Sequence, residues 1–208
     1  MMQTAVKICG ITNCDDARAA ADAGAHALGF VFCAASPRFV APAAAGKIIH
    51  ALPPFLMTVG LFVNPGADEV ERALADAPLN LLQFHGEETP EFCAQFGVPY
   101  IKAVRVQPGV DLLQYTQRYR AARGLLLDAF VEGTHGGTGR VFDWALIPRE
   151  LPLAIILSGG LNPSNVALAI ERVRPSAVDV SSGVESSPGV KDVVKIAAFM
   201  KEVCSAAV

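Results

Sequence analysis

Two side chains that can transfer protons stand at the ends of apolar runs. These two runs lie far apart in the sequence. Cys9 ends the run at residues 5–9, and Asp128 ends the run at residues 124–128. A thiolate can act as a general base, and a partly desolvated carboxyl group, whose pKa is raised, can act as a general acid. Lys7 and the start of a helix after Cys9 would both lower the pKa of the thiol. These residue types predict acid–base chemistry, against the alternatives of an inert buried cysteine and an aspartate that only caps a turn.

Polar side chains also share one face of two other apolar runs. Period-2 alternation places Gln83 and His85 on one face, and it places Asp179 and Ser181 on one face. His85 could bind a substrate or only satisfy a polar edge. The same alternation turns Lys7 inward with Cys9, and a buried lysine needs a partner. We therefore expect Lys7 to pair with Asp179 if the first and last strands are neighbours.

Glycine-rich segments follow the late apolar runs, at residues 135–139, 158–162 and 181–183. None matches the phosphate-loop pattern that binds ATP or GTP. Glycines without side chains leave backbone N–H groups open to a ligand, and loops after the last two strands of a barrel commonly hold phosphate in this way. Each segment alone could be a plain turn. The predicted site for a phosphorylated ligand consists of Gly159, Gly160, Ser181, Ser182 and Gly183.

Eight apolar runs of strand length provide the elements that must position these residues. They begin about 25 residues apart, which is the size of a minimal strand–helix unit. Segments at 13–23, 65–77, 163–173 and 190–203 carry helical signals between or after them. Strict alternation of eight units predicts a (β/α)8 TIM barrel in one domain that spans residues 1–208. An open doubly wound sheet is the alternative, but the segment after the first run lacks the glycine pattern of that fold. The runs are residues 5–9, 27–33, 56–63, 79–85, 100–104, 124–128, 153–157 and 177–181.

Composition excludes several classes of protein. The chain has 208 residues, of which 52% are hydrophobic and 18% charged, and its net charge is −3. The mean hydropathy of +0.38 argues against intrinsic disorder. The sequence has no cluster of basic residues, so a nucleic-acid partner is not expected. No apolar stretch is long enough to span a membrane. The sequence has five cysteines and no CxxC motif, which argues against a disulfide framework. No group of residues has the spacing of metal ligands, so no metal site is expected. We therefore expect a cytoplasmic protein.

The motifs together resemble the phosphoribosylanthranilate isomerase family of tryptophan biosynthesis. The matching segments run in order along essentially the whole chain, and eight motifs in register are far more specific than any one of them. They are residues 7–12 (KICGIT), 28–30 (LGF), 36–38 (SPR), 83–86 (QFHG), 127–128 (LD), 136–139 (GGTG) with 142–144 (FDW), 158–162 (SGGLN) and 180–185 (VSSGVE).

The resemblance implies an aldose–ketose isomerase that carries out an Amadori rearrangement. Its substrate would be N-(5-phosphoribosyl)anthranilate and its product 1-(2-carboxyphenylamino)-1-deoxyribulose 5-phosphate. Asp128 would be the general acid and Cys9 the general base, while Arg38 would bind the anthranilate carboxylate. The reaction would require no cofactor and no metal ion. The remaining substrate-binding residues would be His85, Gly159, Gly160, Asp179, Ser181, Ser182 and Gly183.

The sequence leaves two other functions open. Another phosphosugar isomerase or lyase would share the phosphate loops, but it has no reason to keep the Cys9 and Asp128 pair. A barrel that only binds a phosphorylated metabolite or a partner would not need an acid, a base and a carboxylate-binding arginine. Fold alone does not separate these functions. The sequence also leaves both a monomer and a homodimer open.

Overall fold

Eight parallel strands close into a barrel. The computed structural model describes residues 4–129 and 143–206. Each strand pairs with the next along the chain, and the last strand pairs with the first. This topology confirms the predicted (β/α)8 fold. The strands are β1 (Ala5–Cys9), β2 (Ala27–Val31), β3 (Met57–Phe62), β4 (Leu81–Phe84), β5 (Tyr100–Val106), β6 (Leu125–Ala129), β7 (Ile155–Leu157) and β8 (Ala177–Val180).

Helices connect the strands on the outside of the barrel. The first begins where predicted, because the Asn13 side chain accepts a hydrogen bond from the Asp16 backbone N–H and caps the helix. None of the described helices is long and apolar enough to span a bilayer. The α-helices of the described residues are α1 (Cys14–Asp22), α2 (Pro42–His50), α3 (Ala67–Asp76), α4 (Pro90–Ala94), α5 (Leu112–Arg118), α6 (Val166–Val173) and α7 (Val193–Ser205).

The last predicted helix starts later than its sequence pattern indicates. Residues 190–203 were expected to be helical, but α7 begins at Val193. The two residues before its N-cap form a short strand, β10 (Val190–Lys191), which pairs antiparallel with β9 (Glu185–Ser187). Gly189 supplies the positive φ of +83° in the turn between them. A small hairpin therefore follows β8, the strand that closes the barrel, and precedes α7.

Alternation along each strand separates an outer core from the barrel interior. Val6 and Ile8 belong to the large hydrophobic core that also includes helix residues, as expected for the face toward the helices. Burying a large apolar side chain in such a core contributes about 1.5–3 kcal/mol. Ile101, Ala103 and Leu126, which occupy the alternate positions, form a separate small cluster inside the barrel. The alternate positions nearest the carboxyl ends of the strands carry the polar residues of the candidate site.

Candidate active site

The thiol of Cys9 lies at the carboxyl end of β1 beside a gap that a glycine leaves. Cys9 is 5% exposed, and its register partner on β2 is Gly29. A Cβ atom at Gly29 would lie 2.7 Å from the sulfur of Cys9 and 3.0 Å from Cε of Lys7. Only glycine therefore leaves room for both side chains. The sequence analysis had included Gly29 in a family motif without assigning it this purpose.

Burial raises the pKa of Cys9, so the expectation of a lowered pKa was wrong. Desolvation of the thiolate is the largest contribution, and the Asp179 carboxylate adds to it. The nearby Lys7 ammonium lowers the pKa and donates a hydrogen bond to the sulfur, but it does not outweigh burial. The resting thiol is therefore mainly protonated at neutral pH.

Lys7 forms the buried ion pair that the sequence predicted. Its ammonium lies 2.7 Å from Oδ1 of Asp179, which is its register partner across the closure of the barrel. Burial lowers the pKa of Lys7, but the Asp179 carboxylate more than compensates and the pKa rises to about 12. The second carboxylate oxygen of Asp179 accepts a hydrogen bond of 3.4 Å from the Ser158 hydroxyl. Lys7 therefore remains cationic beside the thiol.

Asp128 is the second-last residue of β6, and two neighbours hold its carboxyl group. Its Oδ1 accepts a hydrogen bond of 2.8 Å from the Ala129 backbone N–H, and its Oδ2 lies 3.1 Å from Nε2 of His85. Nδ1 of His85 in turn lies 3.0 Å from Nε2 of Gln83. The structure thus joins Gln83, His85 and Asp128 in one buried row, in which His85 orients the carboxyl group. Whether His85 also touches a substrate stays a prediction.

The glycine loops after β7 and β8 lie close to Asp128 and to each other. Gly159 and Gly160 have positive φ angles of +83° and +68°. A Cβ atom at Gly159 would lie 3.0 Å from Oδ1 of Asp128, and one at Gly183 would collide with the carbonyl oxygen of Leu161. No acceptor among the described residues takes the backbone N–H groups of Gly159 and Gly160. The third glycine segment, residues 135–139, lies outside the described residues.

Ser181 lies between the two ends of the candidate site. Its hydroxyl oxygen is buried and has no hydrogen-bond partner among the residues that the structure describes. Its carbonyl oxygen accepts a hydrogen bond of 3.3 Å from the Lys191 ammonium. Ser182 begins a short 3-10 helix that runs to Val184. The loop therefore offers a hydroxyl group without a hydrogen-bond partner among the described residues within the predicted phosphate site.

Arg38 reaches the barrel mouth, and one edge of its guanidinium is already bound. Its Nε and Nη2 atoms donate hydrogen bonds of 2.8 Å and 2.7 Å to the two carboxylate oxygens of Glu185. A Cβ atom at Gly10 would lie 2.6 Å from Cδ of Arg38, so the arginine crosses the residue that follows Cys9. The side chain expected to bind a substrate carboxylate is thus positioned by a carboxylate of its own chain.

Three charged residues of this rim received no role from the sequence, although Glu185 ends one of the family motifs. Glu185 and Lys191 belong to the hairpin after β8, and Arg105 stands in register with Asp128 at the end of β5. Arg105 also forms an ion pair of 2.8 Å with the exposed Glu87. The alternation that identified Lys7 could have identified Arg105 as well, because it follows the inward positions of β5.

Comparisons with known proteins identify the family. The model of the N-(5′-phosphoribosyl)anthranilate (PRA) isomerase family matches residues 6–202. The N-(5′-phosphoribosyl)anthranilate isomerase of Nitrosospira multiformis is 59% identical over 202 residues, which cover 97% of each chain. The solved phosphoribosyl anthranilate isomerase of Thermotoga maritima has a TM-score of 0.89 and 43% identity, covering 97% of this chain and 99% of that chain.

A second solved structure carries a ligand. It is a phosphoribosyl anthranilate isomerase in complex with reduced 1-(o-carboxyphenylamino)-1-deoxyribulose 5-phosphate. It has a TM-score of 0.86 and 42% identity over 97% of this chain and 99% of that chain. These matches confirm the resemblance found in the sequence and the isomerase class that it implied. The chain belongs to the N-(5′-phosphoribosyl)anthranilate isomerase family.

Proposed function

We propose that this chain converts N-(5-phosphoribosyl)anthranilate to 1-(2-carboxyphenylamino)-1-deoxyribulose 5-phosphate, with Asp128 as general acid and Cys9 as general base. The observation that carries the proposal is the placement of a buried carboxyl group and a buried thiol at the same end of one barrel. The fold presents both at the carboxyl ends of strands, where barrel enzymes build their active sites. The reaction is a step of tryptophan biosynthesis.

In the first half of the reaction, Asp128 opens the sugar ring. Its carboxyl proton passes to the ring oxygen, the bond from that oxygen to C1 breaks, and the nitrogen lone pair forms a C1–N double bond. His85, which lies 3.1 Å from Oδ2, keeps the carboxyl group in one orientation during the transfer. A positioned proton transfer of this kind contributes about 10²–10⁴-fold to a rate.

In the second half, Cys9 removes the proton from C2. The C2–H electrons form a C1–C2 double bond, and the C1–N double bond returns its electrons to nitrogen. The resulting enolamine takes a proton at C1 and loses the hydroxyl proton at C2, so C1 is reduced, C2 becomes the ketone carbon, and the atoms balance. The thiolate form is a minority at neutral pH because burial raises the pKa of Cys9. Lys7 stabilises that form, since it stays cationic at every working pH.

The substrate carries two anionic groups, a phosphate and a carboxylate, and each requires its own binding position in the site. We assign the 5-phosphate to the loops that contain Gly159, Gly160 and Gly183, because backbone N–H groups at such loops suit phosphate oxygens. We assign the anthranilate carboxylate to Arg38, because a planar guanidinium fork matches a planar carboxylate. The substrate provides its own electron sink once the imine forms, so the proposed steps use only the side chains of this chain.

The decisive experiment follows the loss of fluorescence of freshly generated N-(5-phosphoribosyl)anthranilate. We expect turnover by the wild type and a loss of orders of magnitude in kcat for Cys9→Ser and for Asp128→Asn. Cys14→Ser is the matched control, since Cys14 is exposed at the start of α1, and it should keep full activity. Normal turnover by either active-site variant would remove that residue from the mechanism.

A folded wild-type protein without turnover would favour the alternative of a barrel that only binds a phosphorylated metabolite. The cytoplasmic location and the choice between monomer and homodimer stay predictions. Cell fractionation tests the location, and sedimentation equilibrium tests the oligomeric state.

A further inference from the structure

We propose that Glu185 is a positioning residue, which fixes Arg38 by one edge so that the other edge receives the aryl carboxylate of the substrate. The inference rests on the proposed function, because it concerns how the substrate is recognised. It assigns a task to a carboxylate that otherwise competes with the substrate for the same arginine.

The geometry of the pair leaves donors free on Arg38. A guanidinium has five N–H bonds, and Glu185 takes one from Nε and one from Nη2. The two N–H bonds of Nη1 and the second one of Nη2 remain, and one N–H from each of these two nitrogens points along the end-on edge of the guanidinium. A second carboxylate can therefore bind side by side with two donors while the first stays in place.

Glu185 cannot move with the Arg38 side chain, because contacts within the hairpin and with Lys191 hold it in place. The Lys191 ammonium lies 2.7 Å from Oε1 of Glu185 in the short sheet of β9 and β10, and the Lys191 side chain is fully buried. The carbonyl oxygen of Glu185 accepts a hydrogen bond of 2.6 Å from the Lys195 ammonium. The backbone N–H of Lys191 donates a 2.9 Å hydrogen bond to Oδ2 of Asp16 on α1. These contacts therefore hold the Glu185 carboxylate in one position.

The charges of this cluster also suit an incoming anion. Arg38 and Lys191 carry two positive charges and Glu185 carries one negative charge, so one positive charge is left over. Burial raises the pKa of Glu185, but Arg38 and Lys191 outweigh it and hold the pKa below its usual value. The glutamate therefore stays ionised, and the cluster remains suited to bind one carboxylate.

The same cluster contacts the thiol end and the predicted phosphate end of the site. The stem of Arg38 crosses Gly10, next to Cys9, and the place that a Cβ of Gly10 would take lies 3.1 Å from the Ser181 hydroxyl. Lys191 bonds to the carbonyl oxygen of Ser181 as well as to Glu185. A fixed Arg38 would therefore set the distance between the bound carboxylate and the bound phosphate, and this distance places C2 of the sugar relative to the base.

The test compares two ligands on two proteins by calorimetry. The ligands are reduced 1-(2-carboxyphenylamino)-1-deoxyribulose 5-phosphate and the same compound without the carboxyl group. We expect Glu185→Gln to weaken binding of the carboxylated ligand by about 10- to 100-fold, the loss typical of a charged hydrogen-bonded contact. Binding of the ligand without the carboxyl group should change by less than about twofold.

Two outcomes would overturn the proposal. Equal weakening of both ligands would show that Glu185 only maintains the structure. Tighter binding of the carboxylated ligand would show that Glu185 competes with it for Arg38. Neither readout requires turnover, so the failure of this proposal is distinct from the failure of the wild type to isomerise its substrate.

A second variant and a control complete the design. Glu185→Asp keeps the charge beside Lys191 but withdraws the oxygens by one carbon. It should fold even if Glu185→Gln fails to fold, and it should also reduce the preference for the carboxylated ligand. An unchanged preference would overturn the proposal. Asp68→Asn removes the carboxylate of an exposed ion pair with Arg72 on the outer helix α3. It should leave the affinity for both ligands unchanged.

Discussion

A methyl group at Gly29 would test whether the gap beside Cys9 is what positions the thiol. The added Cβ would lie 2.7 Å from the sulfur and 3.1 Å from Nζ of Lys7, so both must move. Restoring ordinary contact distances of about 3.5–4.0 Å displaces the sulfur by about 1 Å. A displacement of that size costs about 10²-fold in rate, and overpacking a buried site costs about 1–3 kcal/mol in stability. We therefore expect Gly29→Ala to fold with a moderate loss of stability and to lose about two orders of magnitude in kcat.

The assay measures kcat by substrate fluorescence and the free energy of unfolding by urea titration. Gly60→Ala is the matched control, because its Cβ would meet Cδ1 of Leu79 at 2.6 Å on the outer face of β3 rather than the active-site side chains. The control should lose stability and keep kcat. If Gly29→Ala is destabilised to the same degree as the control and keeps the wild-type kcat, the reasoning about the gap is wrong.

Two further predictions concern the ionisable groups around the thiol. Because the pKa of Cys9 is higher in the folded than in the unfolded state, the neutral thiol stabilises the fold below the unfolded pKa, and this stability is lost as the pH rises toward the folded pKa. The free energy of unfolding of the wild type should then fall more steeply with alkaline pH than that of Cys9→Ala, and equal slopes would contradict a raised pKa. Lys7→Met leaves Asp179 buried without its cation, so it should cost about 3–5 kcal/mol in urea unfolding. The double variant Lys7→Met with Asp179→Leu should regain much of that loss, and no recovery would argue against the pair as its cause.

The strands followed from the sequence because apolar alternation reports directly on burial. The run at residues 5–9 coincides with β1. The pairing of Lys7 with Asp179 was expected from the inward alternation of both residues, the need of a buried lysine for a partner, and the closure of the barrel. Every strand contributes to one continuous ring, so local patterns and global closure agree. The helix and strand ends deviated where tertiary contacts decide them, as at Val190, which pairs in a hairpin instead of starting a helix.

The sequence did not show the net direction of the pKa shift of Cys9 or the partner of Arg38. The neighbours of Cys9 along the chain suggested a lowered pKa, but the direction depends on how completely the barrel removes water from the thiol. The contact between Arg38 and Glu185 joins residues 147 positions apart, and no local pattern encodes it. Sequence spacing finds residues that share a strand face, whereas it does not show which charges meet across the mouth of the barrel.

The hairpin after β8 has a consequence for the biosynthesis of the enzyme itself. It docks on the beginning of the chain, where the Thr12 hydroxyl donates a 2.7 Å hydrogen bond to the carbonyl oxygen of Gly189 and the Asp16 carboxylate holds Lys191. These contacts join residues 177 and 175 positions apart, so they form only after the hairpin has left the ribosome. A nascent chain that stops at β7 would carry its thiol, its carboxyl group and Arg38, yet it would lack Glu185, which binds the arginine. A chain that ends before the hairpin would therefore leave the guanidinium of Arg38 without the carboxylate that binds it.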